Sequence, residues 1–600
     1  MATKPILNKP PAKGGSFLLE PTAPQDVFTP ADLSDDQKLI GQTAEEFVTK
    51  EVFPVVKDLE AKRPGLMSEL ARKAAELGLM GPGIPEEYGG AGLDNVATTV
   101  LTEKISLYGG FAITQGSHAG IGTVPIVFFG SDDQKKKYLP KLANGEYIAA
   151  YALTEPQSGS DPRNTLTRAE LNKEGTHYIL NGQKMWITNG GFADLFIVFA
   201  AVDGQKLTAF IVEKAFPGCK PGNEEHKLGL HGSSTTAVFL ENCMVPKENV
   251  LHEIGRGHIV AFNTLNVGRF RLGANCVGES KHLLMTASKY AKERKAFGKQ
   301  IGDFGLVKEK LAEMAIRIFA VESMIYRCAG CVEAAASAAE LSGNQAMDSM
   351  KVLEEYAIEC SIAKVYGSEL LDFVVDEAVQ IFGGYGFHED YPVCRAYRDS
   401  RVNRIFEGTN EINRTVISLT LLKRATSGQV PLIPAAKKLA GEILAGAPKE
   451  ESPQDVLAGE ALVVANAKKA FLQAAGGALQ KFRDKLGEEQ ELIGALANIV
   501  SEIYAMESAL LRAEKAAASK GEAAAAVMID AARVYIAEAA ERVDHEAKRT
   551  IAAAYEGDAL KTQLAVLKRF SKAPAVDTIA LRRRISAAVQ AQDHYPFEGR

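Results

Sequence analysis

Residues 177–202 read HYILNGQKMWITNGGFADLFIVFAAV. Two runs rich in β-branched and aromatic residues are parted by Asn189, Gly190 and Gly191, the pattern of strands joined by a turn. KLTAFIVEK at residues 206–214 and TAVFLENCMV at 236–245 repeat the texture. Each run is short and flanked by turn formers, which favours strands over pieces of buried helix. Together they predict a small antiparallel β domain over residues 151–256.

Outside this block the period changes from two to 3.6. On the N-terminal side, residues 33–150 read as helical: DQKLIGQTAEEFVTKEV sets Leu39, Ile40, Ala44 and Phe47 on one stripe, with Asp35 and Asp36 at the helix start. On the C-terminal side, residues 257–428 return to long helical stretches such as KEKLAEMAIRIFAVESMIY. Residues 429–600 form a further helical extension; positions 431–600 hold 42 alanines, 23 basic and 23 acidic residues. Residues 1–32, rich in Lys and Pro at their start, read as a disordered or extended tail. PKEESP at 448–453 reads as a linker, and residues 333–350 as an insertion between two helices. Helix, then strand, then helix gives an α+β fold: N-terminal helical domain, middle β domain, C-terminal helical bundle and an additional C-terminal helical domain.

Composition narrows the function. The chain has 600 residues, 46% hydrophobic and 24% charged, with net charge −6. That balance argues against nucleic-acid binding, which needs a basic excess. Seven cysteines over this length suit a reducing compartment, so the expected location is cytoplasmic. No apolar run is long enough to span a membrane. Neither a dinucleotide fingerprint nor a Walker loop is present, HExxH is absent, and Cys328 and Cys331 form a lone CxxC that reads as two ordinary thiols; no metal is expected.

Four segments carry chemistry. YALTEPQSGSD at residues 151–161 is a loop of small hydroxyl and Gly residues that lets a ligand approach bare backbone. Trp186-Ile187-Thr188 holds the single Trp of the chain, an indole beside a hydroxyl, suited to an aromatic cofactor. Arg294, in YAKERKAFGKQIGDF, can pair with a pyrophosphate. In RIFEGTNEI, preceded by QIFGGYGF, the carboxylate of Glu407 sits between an apolar ring and an open backbone, where desolvation raises its pKa toward that of a working base. Each has an ordinary reading alone: a turn, a core Trp, a charged helix face, a single Glu before a Gly.

Taken together, LTEPQSGSD, WITNGG, ERKAFG, QIFGGYGF and RIFEGTNEI closely resemble the acyl-CoA dehydrogenase family of flavoproteins over residues 33–422. The length, NVGRF at 266–270 and DFGLVKEKL at 303–311 resemble the very-long-chain members most. The resemblance implies FAD as cofactor and α,β-desaturation of fatty acyl-CoA to trans-2-enoyl-CoA in β-oxidation, with electrons passed to an electron-transfer flavoprotein. It makes Glu407 the catalytic base, with its own backbone N–H among the donors to the thioester oxygen. It assigns flavin contacts to Tyr151, Leu153, Thr154, Gly159 and Ser160, to Trp186, Ile187 and Thr188, to Gln380, Ile381, Phe382, Gly383 and Gly384, and to Thr409, Asn410 and Glu411. Arg294, with Phe297 beside it, is implied to reach the flavin of a neighbouring subunit. Ser160, Asn266, Val267, Gly268, Arg269 and Gly408 are implied substrate contacts. FAITQGSHAGIGTVPI, with its small Ala112, Gly116, Ser117, Ala119, Gly120 and Gly122, matches the pocket floor and suits long chains.

By the same resemblance the extension makes the protein a homodimer rather than a tetramer. Its Lys437, Lys438, Lys468, Lys469, Lys481, Arg483 and Lys485 raise weak peripheral contact at an anionic inner membrane as the lesser reading; solvated helix faces are the better one. Two alternatives stand beside the dehydrogenase: an acyl-CoA oxidase, disfavoured by RIFEGTNEI and by an ending in FEGR rather than SKL, and a non-catalytic CoA-binding or scaffold paralogue, disfavoured by an intact Glu407. Pro162 and Arg163 depart from the small residues usual after the first motif.

Overall fold

The computed structural model describes residue 7 and residues 12–340, 351–445 and 456–598. The linker at 448–453 lies outside them, as does the stretch from 341 to 350.

The N-terminal helices include α1 (Asp35–Phe47), α2 (Leu66–Glu76), α3 (Asn95–Ile105), α4 (Gly109–Gly116) and α5 (Asp132–Ala143). α1 begins at a reciprocal cap: Ser34 Oγ accepts from the Gln37 N–H at 3.2 Å, and Gln37 Oε1 accepts from the Ser34 N–H at 3.1 Å. Its stripe buries Ala44 and Phe47 against Leu70, Met80 and Phe111, while Leu39 stays exposed. α4 continues into a widened π turn, Ser117–Gly122, a form frequent where a helix meets a functional site.

The β domain has eight strands: β1 (Ala149–Ala152), β2 (Arg168–Leu171), β3 (His177–Thr188), β4 (Leu195–Val202), β5 (Lys206–Glu213), β6 (Cys219–Glu224), β7 (Thr235–Pro246) and β8 (Val250–Leu251). Their order is β6-β7-β3-β2-β4-β5-β8. The expectation of a purely antiparallel sheet is corrected here. β1 and β2 both run parallel to β4, with Ala149 opposite Leu195 and Arg168 opposite Ala201. The loop between them leaves the sheet and returns, so two short strands lie end to end along one edge of β4. Every residue of β4 is buried, as a strand covered on both faces requires.

The catalytic bundle comprises α6 (Gly257–Glu293), α7 (Gly305–Glu340), α8 (Ala357–Phe382) and α9 (Asn410–Thr426). α6 and α8 cross backbone to backbone: a Cβ on Gly367 would stand 2.8 Å from Gly273 Cα. The extension adds α10 (Leu432–Ala445), α11 (Ala458–Phe482), α12 (Gln490–Lys520), α13 (Glu522–Ala554), α14 (Gly557–Phe570) and α15 (Thr578–Ala591). Its apolar stripes fold back onto α7, α8 and α9 in one continuous core. A buried charge cluster pins the three helical layers. Lys281 of α6 bonds Glu103 of α3 at 2.6 Å and Glu322 of α7 at 2.5 Å, and Arg512 of α12 bonds Glu322 at 2.6 Å. Against burial, which pushes the other way, Arg512 and Lys281 hold the Glu322 carboxyl below its ordinary range. Of the cations weighed for a membrane, Lys438, Lys468 and Lys481 pair with Glu442, Glu507 and Glu556. No helix among the described residues is long and apolar enough to cross a membrane.

The N-terminal stretch is a second correction. Residues 12–32 lie ordered across the seam between the catalytic bundle and the extension, with Phe17, Leu18, Val27 and Phe28 buried. Phe17 packs on Tyr504 with ring centroids 4.7 Å apart, and Asp32 pairs with Lys515 at 2.6 Å. The Lys- and Pro-rich start conceals four apolar anchors, and the catalytic bundle and the extension bury them together: Phe28 lies against Gly330 of α7 and Phe17 against Tyr504 of α12.

Candidate active site

The turn entering α9 holds strained backbone. Glu407 has φ 56° and Gly408 φ 78°, so two successive residues occupy the left-handed region. That region is unfavourable for a side chain and sits at functional sites when the surroundings enforce it. Here Asn413 enforces it: its Nδ2 donates to the carbonyls of Glu407 (3.3 Å), Gly408 (2.9 Å) and Thr409 (3.0 Å). Thr409 Oγ1 then caps α9 by accepting from the Ile412 N–H at 3.2 Å.

This turn aims the Glu407 carboxyl at α6. A Cβ on Gly268 would lie 2.4 Å from Glu407 Oε2, so the carboxyl rests in the space a side chain there would fill. Oε2 is buried without a hydrogen-bond partner, as are the neighbouring Arg269 Nε and Tyr151 Oη. Burial pushes Glu407 up to about 7, and only in part do Arg269 and Lys364 oppose it. Arg269 is held by Asn266 Oδ1 at 3.0 Å, and Lys364 by Asn410 Oδ1 at 2.6 Å. An acid whose charge change falls near neutrality, with free acceptor capacity, can take a proton from a bound molecule.

Glu407 opens on a cavity of about 1250 Å³. One wall is the loop after β1, with Leu153, Thr154, Gly159, Ser160 and Pro162; the next is the end of β3, with Trp186, Ile187 and Thr188; the others are α4 with its π turn, α6 from Phe262 to Asn275, and residues 405–409. β3 departs from register between Lys184 and Ile187, and Trp186 takes φ 60°, which turns its indole out of the sheet to 58% exposure. Asn189, also left-handed at φ 66°, ties this end to the floor by donating to the carbonyls of Thr114 (3.0 Å) and Ala149 (3.3 Å). The loop is anchored by a fully buried pair, Lys184 Nζ to Glu155 Oε1 at 2.6 Å, and the same carboxylate accepts from the backbone N–H groups of Leu166 and Thr167. Despite burial, Lys184 brings Glu155 down to about 2.

Of the residues singled out from sequence, Tyr151, Leu153, Thr154, Gly159, Ser160, Trp186, Ile187, Thr188, Asn266, Gly268, Arg269, Glu407, Gly408 and Thr409 line this one cavity. The others do not. Val267 faces the bundle core, Asn410 turns to Lys364, Ser368 and Glu369, and Glu411 is exposed. Arg294 and Phe297 are twenty-six or more residues beyond Gly268, about 39 Å along the α6 axis at ~1.5 Å per residue. They gather with the Gln380–Gly384 segment in a separate patch: Phe382 stacks on Tyr290 at 4.0 Å, Arg294 lies 5.7 Å over Tyr385, and Phe297 is 95% exposed. Ile381 is buried, while Gln380, Gly383 and Gly384 face outward. Sequence reasoning missed Lys364 and Arg271; Lys364 is a lone cation inside an otherwise apolar stretch, whereas Arg271, two residues from Arg269, carried no signal of its own. Ala112, Gly116, Ser117 and Gly120 line the cavity as expected of the floor, whereas Gly122 packs on Ala149 and Ala119 is buried outside the lining. No cluster of metal-ligating side chains occurs among the described residues.

Matches to the acyl-CoA dehydrogenase N-terminal domain over residues 34–146, its middle domain over 150–243 and its C-terminal domain over 255–422 cover every wall of the cavity; a further acyl-CoA dehydrogenase C-terminal domain matches residues 466–569. The chain belongs to the acyl-CoA dehydrogenase family. A probable acyl-CoA dehydrogenase of Bacillus subtilis is 47% identical over 586 residues, 97% of this chain and 98% of that one. The human mitochondrial very long-chain specific acyl-CoA dehydrogenase is 37% identical over 436 residues, 66% of this chain and 64% of that protein. The crystal structure of an acyl-CoA dehydrogenase complexed with FAD from Bacillus anthracis matches with TM-score 0.96 at 47% identity, over 97% of this chain and 100% of that one. Members of the acyl-CoA dehydrogenase family are FAD-dependent oxidoreductases acting on CH–CH bonds.

Proposed function

We propose that this family member binds FAD between the Leu153–Ser160 loop, Trp186–Thr188 and Thr409, and desaturates fatty acyl-CoA to trans-2-enoyl-CoA in β-oxidation. The residues fit the cofactor. A flat indole faces the cavity, Gly159 leaves open space where a Cβ would stand, and Tyr151 Oη is an unpartnered buried polar group on the cavity wall. When bound, the flavin supplies the acceptor for the β-hydrogen, which leaves as hydride.

The chain's own contribution rests on one observation: a carboxyl with unmet hydrogen-bonding capacity, buried at the cavity wall and titrating near 7. Near neutrality Glu407 can pass between its protonated and ionised forms. It takes the α-proton at a carboxylate oxygen, and an acyl chain filling the cavity excludes the water that would otherwise solvate and weaken that base. Removing one donor from an oxyanion costs about 3–4 kcal/mol, so the backbone at Glu407, left open by Gly408, matters as much as the carboxylate. The small floor residues favour long chains, each added methylene contributing up to ~0.8 kcal/mol when buried.

Electrons pass to an electron-transfer flavoprotein. Two copies associate through the patch around Arg294, where exposed Phe297 and Phe387 lie; the extension buries apolar faces against its own chain, which favours a dimer.

Anaerobic titration with acyl-CoAs tests the reaction: loss of flavin absorbance supports it, and a protein that stays oxidised with every acyl-CoA defeats it. Turnover that needs an electron-transferring acceptor and fails under air alone supports the dehydrogenase over an oxidase. Light scattering at a mass near four chains would refute the dimer.

A further inference from the structure

The cavity floor is built for more than hydrocarbon. Arg271 sits three residues beyond Gly268 on α6, one helical turn and about 4.5 Å further along the same face from the contact with Glu407. Its side chain lines the cavity and ends between two bare glycines: a Cβ on Gly120 would meet Nη1 at 3.4 Å, and one on Gly83 would meet Nη2 at 3.8 Å. The guanidinium has a single hydrogen bond, from Nη1 to the Ala119 carbonyl at 3.0 Å, out of the five N–H donors it carries. No carboxylate acts on it; burial alone sets its behaviour and pulls it down to about 10. Contrast Arg269, two residues earlier, which has the charge of Glu407 facing it.

Two further polar groups share the floor. Ser117 Oγ, in the π turn, is buried with no hydrogen-bond partner. Asn275, one turn beyond Arg271, lines the cavity and has no hydrogen-bond partner among the described residues. Arg271 is half-buried, and a cation at a cavity wall answered by one neutral carbonyl keeps donors that an anion in the cavity can take. A floor meant only for a methyl end would be lined by apolar side chains.

We propose that the floor of this cavity binds a carboxylate, and that the chain acts on acyl-CoAs whose acyl group carries a carboxyl at its far end. Arg271 takes the carboxylate through the donors that the Ala119 carbonyl leaves free, with Ser117 and Asn275 completing its hydrogen bonds. The small residues of the π turn then leave length for the chain between the two ends. This rests on the reading of the cavity as an acyl-CoA site and names which acyl-CoAs it prefers.

The test uses the holoenzyme and matched acyl-CoAs of equal carbon number, one methyl-terminated, one ω-hydroxylated and one ω-carboxylated, over a series of lengths. Anaerobic flavin reduction gives kcat/KM for each. At the best-fitting length, the carboxylated substrate is expected to exceed the methyl-terminated one by about 10- to 100-fold, the range of a charge-assisted hydrogen bond. In Arg271→Met that ratio collapses to one or below. Arg271→Gln keeps a donor for the Ala119 carbonyl without the charge, so it reads the same loss even if the Met variant folds poorly, and Arg271→Lys recovers part of the preference. Calorimetric binding to Glu407→Gln and to Glu407→Gln/Arg271→Gln repeats the comparison without turnover. Preference for the methyl end at every length, equal preference for the hydroxylated chain, or a ratio unmoved by Arg271→Gln overturns the proposal. Failure of all three substrates to reduce the flavin would instead overturn the acyl-CoA reading.

Discussion

Replacing Glu407 with Gln separates what this residue costs the fold from what it contributes to chemistry. The carboxyl ionises near 4.5 in the unfolded chain and near 7 in place, because burial disfavours its charge. A group whose folded value is raised in this way is tolerated best when protonated. Its penalty is absent below 4.5, grows as pH rises from 4.5 to 7, and is constant above. The rise from 4.5 to about 7, at ~1.36 kcal/mol per tenfold change in proton affinity, gives a penalty of up to about 3 kcal/mol at pH 8, less whatever water in the cavity relieves. Gln has the same shape and no charge. The variant is therefore expected to melt higher than wild type at pH 8, by a few degrees in the transition that includes the catalytic bundle, and at the same temperature at pH 4.5. Flavin reduction by acyl-CoA should meanwhile fall about 10²- to 10⁴-fold with flavin retained. Calorimetric scans at the two pH values and stopped-flow flavin absorbance measure both. A variant that melts lower at pH 8, or with a difference independent of pH, refutes the argument that burial sets the pKa; near-normal bleaching moves the base elsewhere.

The pH dependence of flavin reduction should rise tenfold per unit below about pH 7 and level off above it, because only ionised Glu407 accepts a proton; stopped-flow rates between pH 5 and 9 check this. Gly268→Ala places a methyl 2.4 Å from Glu407 Oε2 and is expected to lower kcat about 10²-fold with melting temperature little changed, since displacing a base by about 1 Å suffices. Lys184→Met strands the buried Glu155 carboxylate and is expected to cost about 3–5 kcal/mol, loosening the loop beyond β1; flavin content after gel filtration reports the loss.

The three-layer order and most cavity-lining residues were legible because they depend on local texture and short motifs. β1 and β2 were not, since a strand of four residues carries no record of whether its partner runs parallel. The ordered strap of residues 12–32 was hidden for a similar reason: Phe17 and Phe28 have partners only in helices far along the chain, and average composition outweighs four anchors. That the Arg294 and Gln380 motifs meet each other in one patch, away from Glu407, was not legible, because motif order says nothing of the length of the helix between them. Arg271 passed as an ordinary charge two residues from Arg269; only its position at a cavity wall without a counter-charge distinguishes it.

That strap also sets a timetable. Phe17 leaves the ribosome almost 490 residues before Tyr504, the ring it packs against. At ~5–20 residues per second, its apolar side chains wait roughly half a minute to a minute and a half for their partner. The end made first is thus among the last to dock, and during synthesis residues 17–28 are an exposed apolar segment of the sort that holdase chaperones grip. Ribosome-bound chains halted before and after α12 should differ in protease cleavage within residues 12–32, open in the first and protected in the second. A chain that emerges front end first is here fastened from the back.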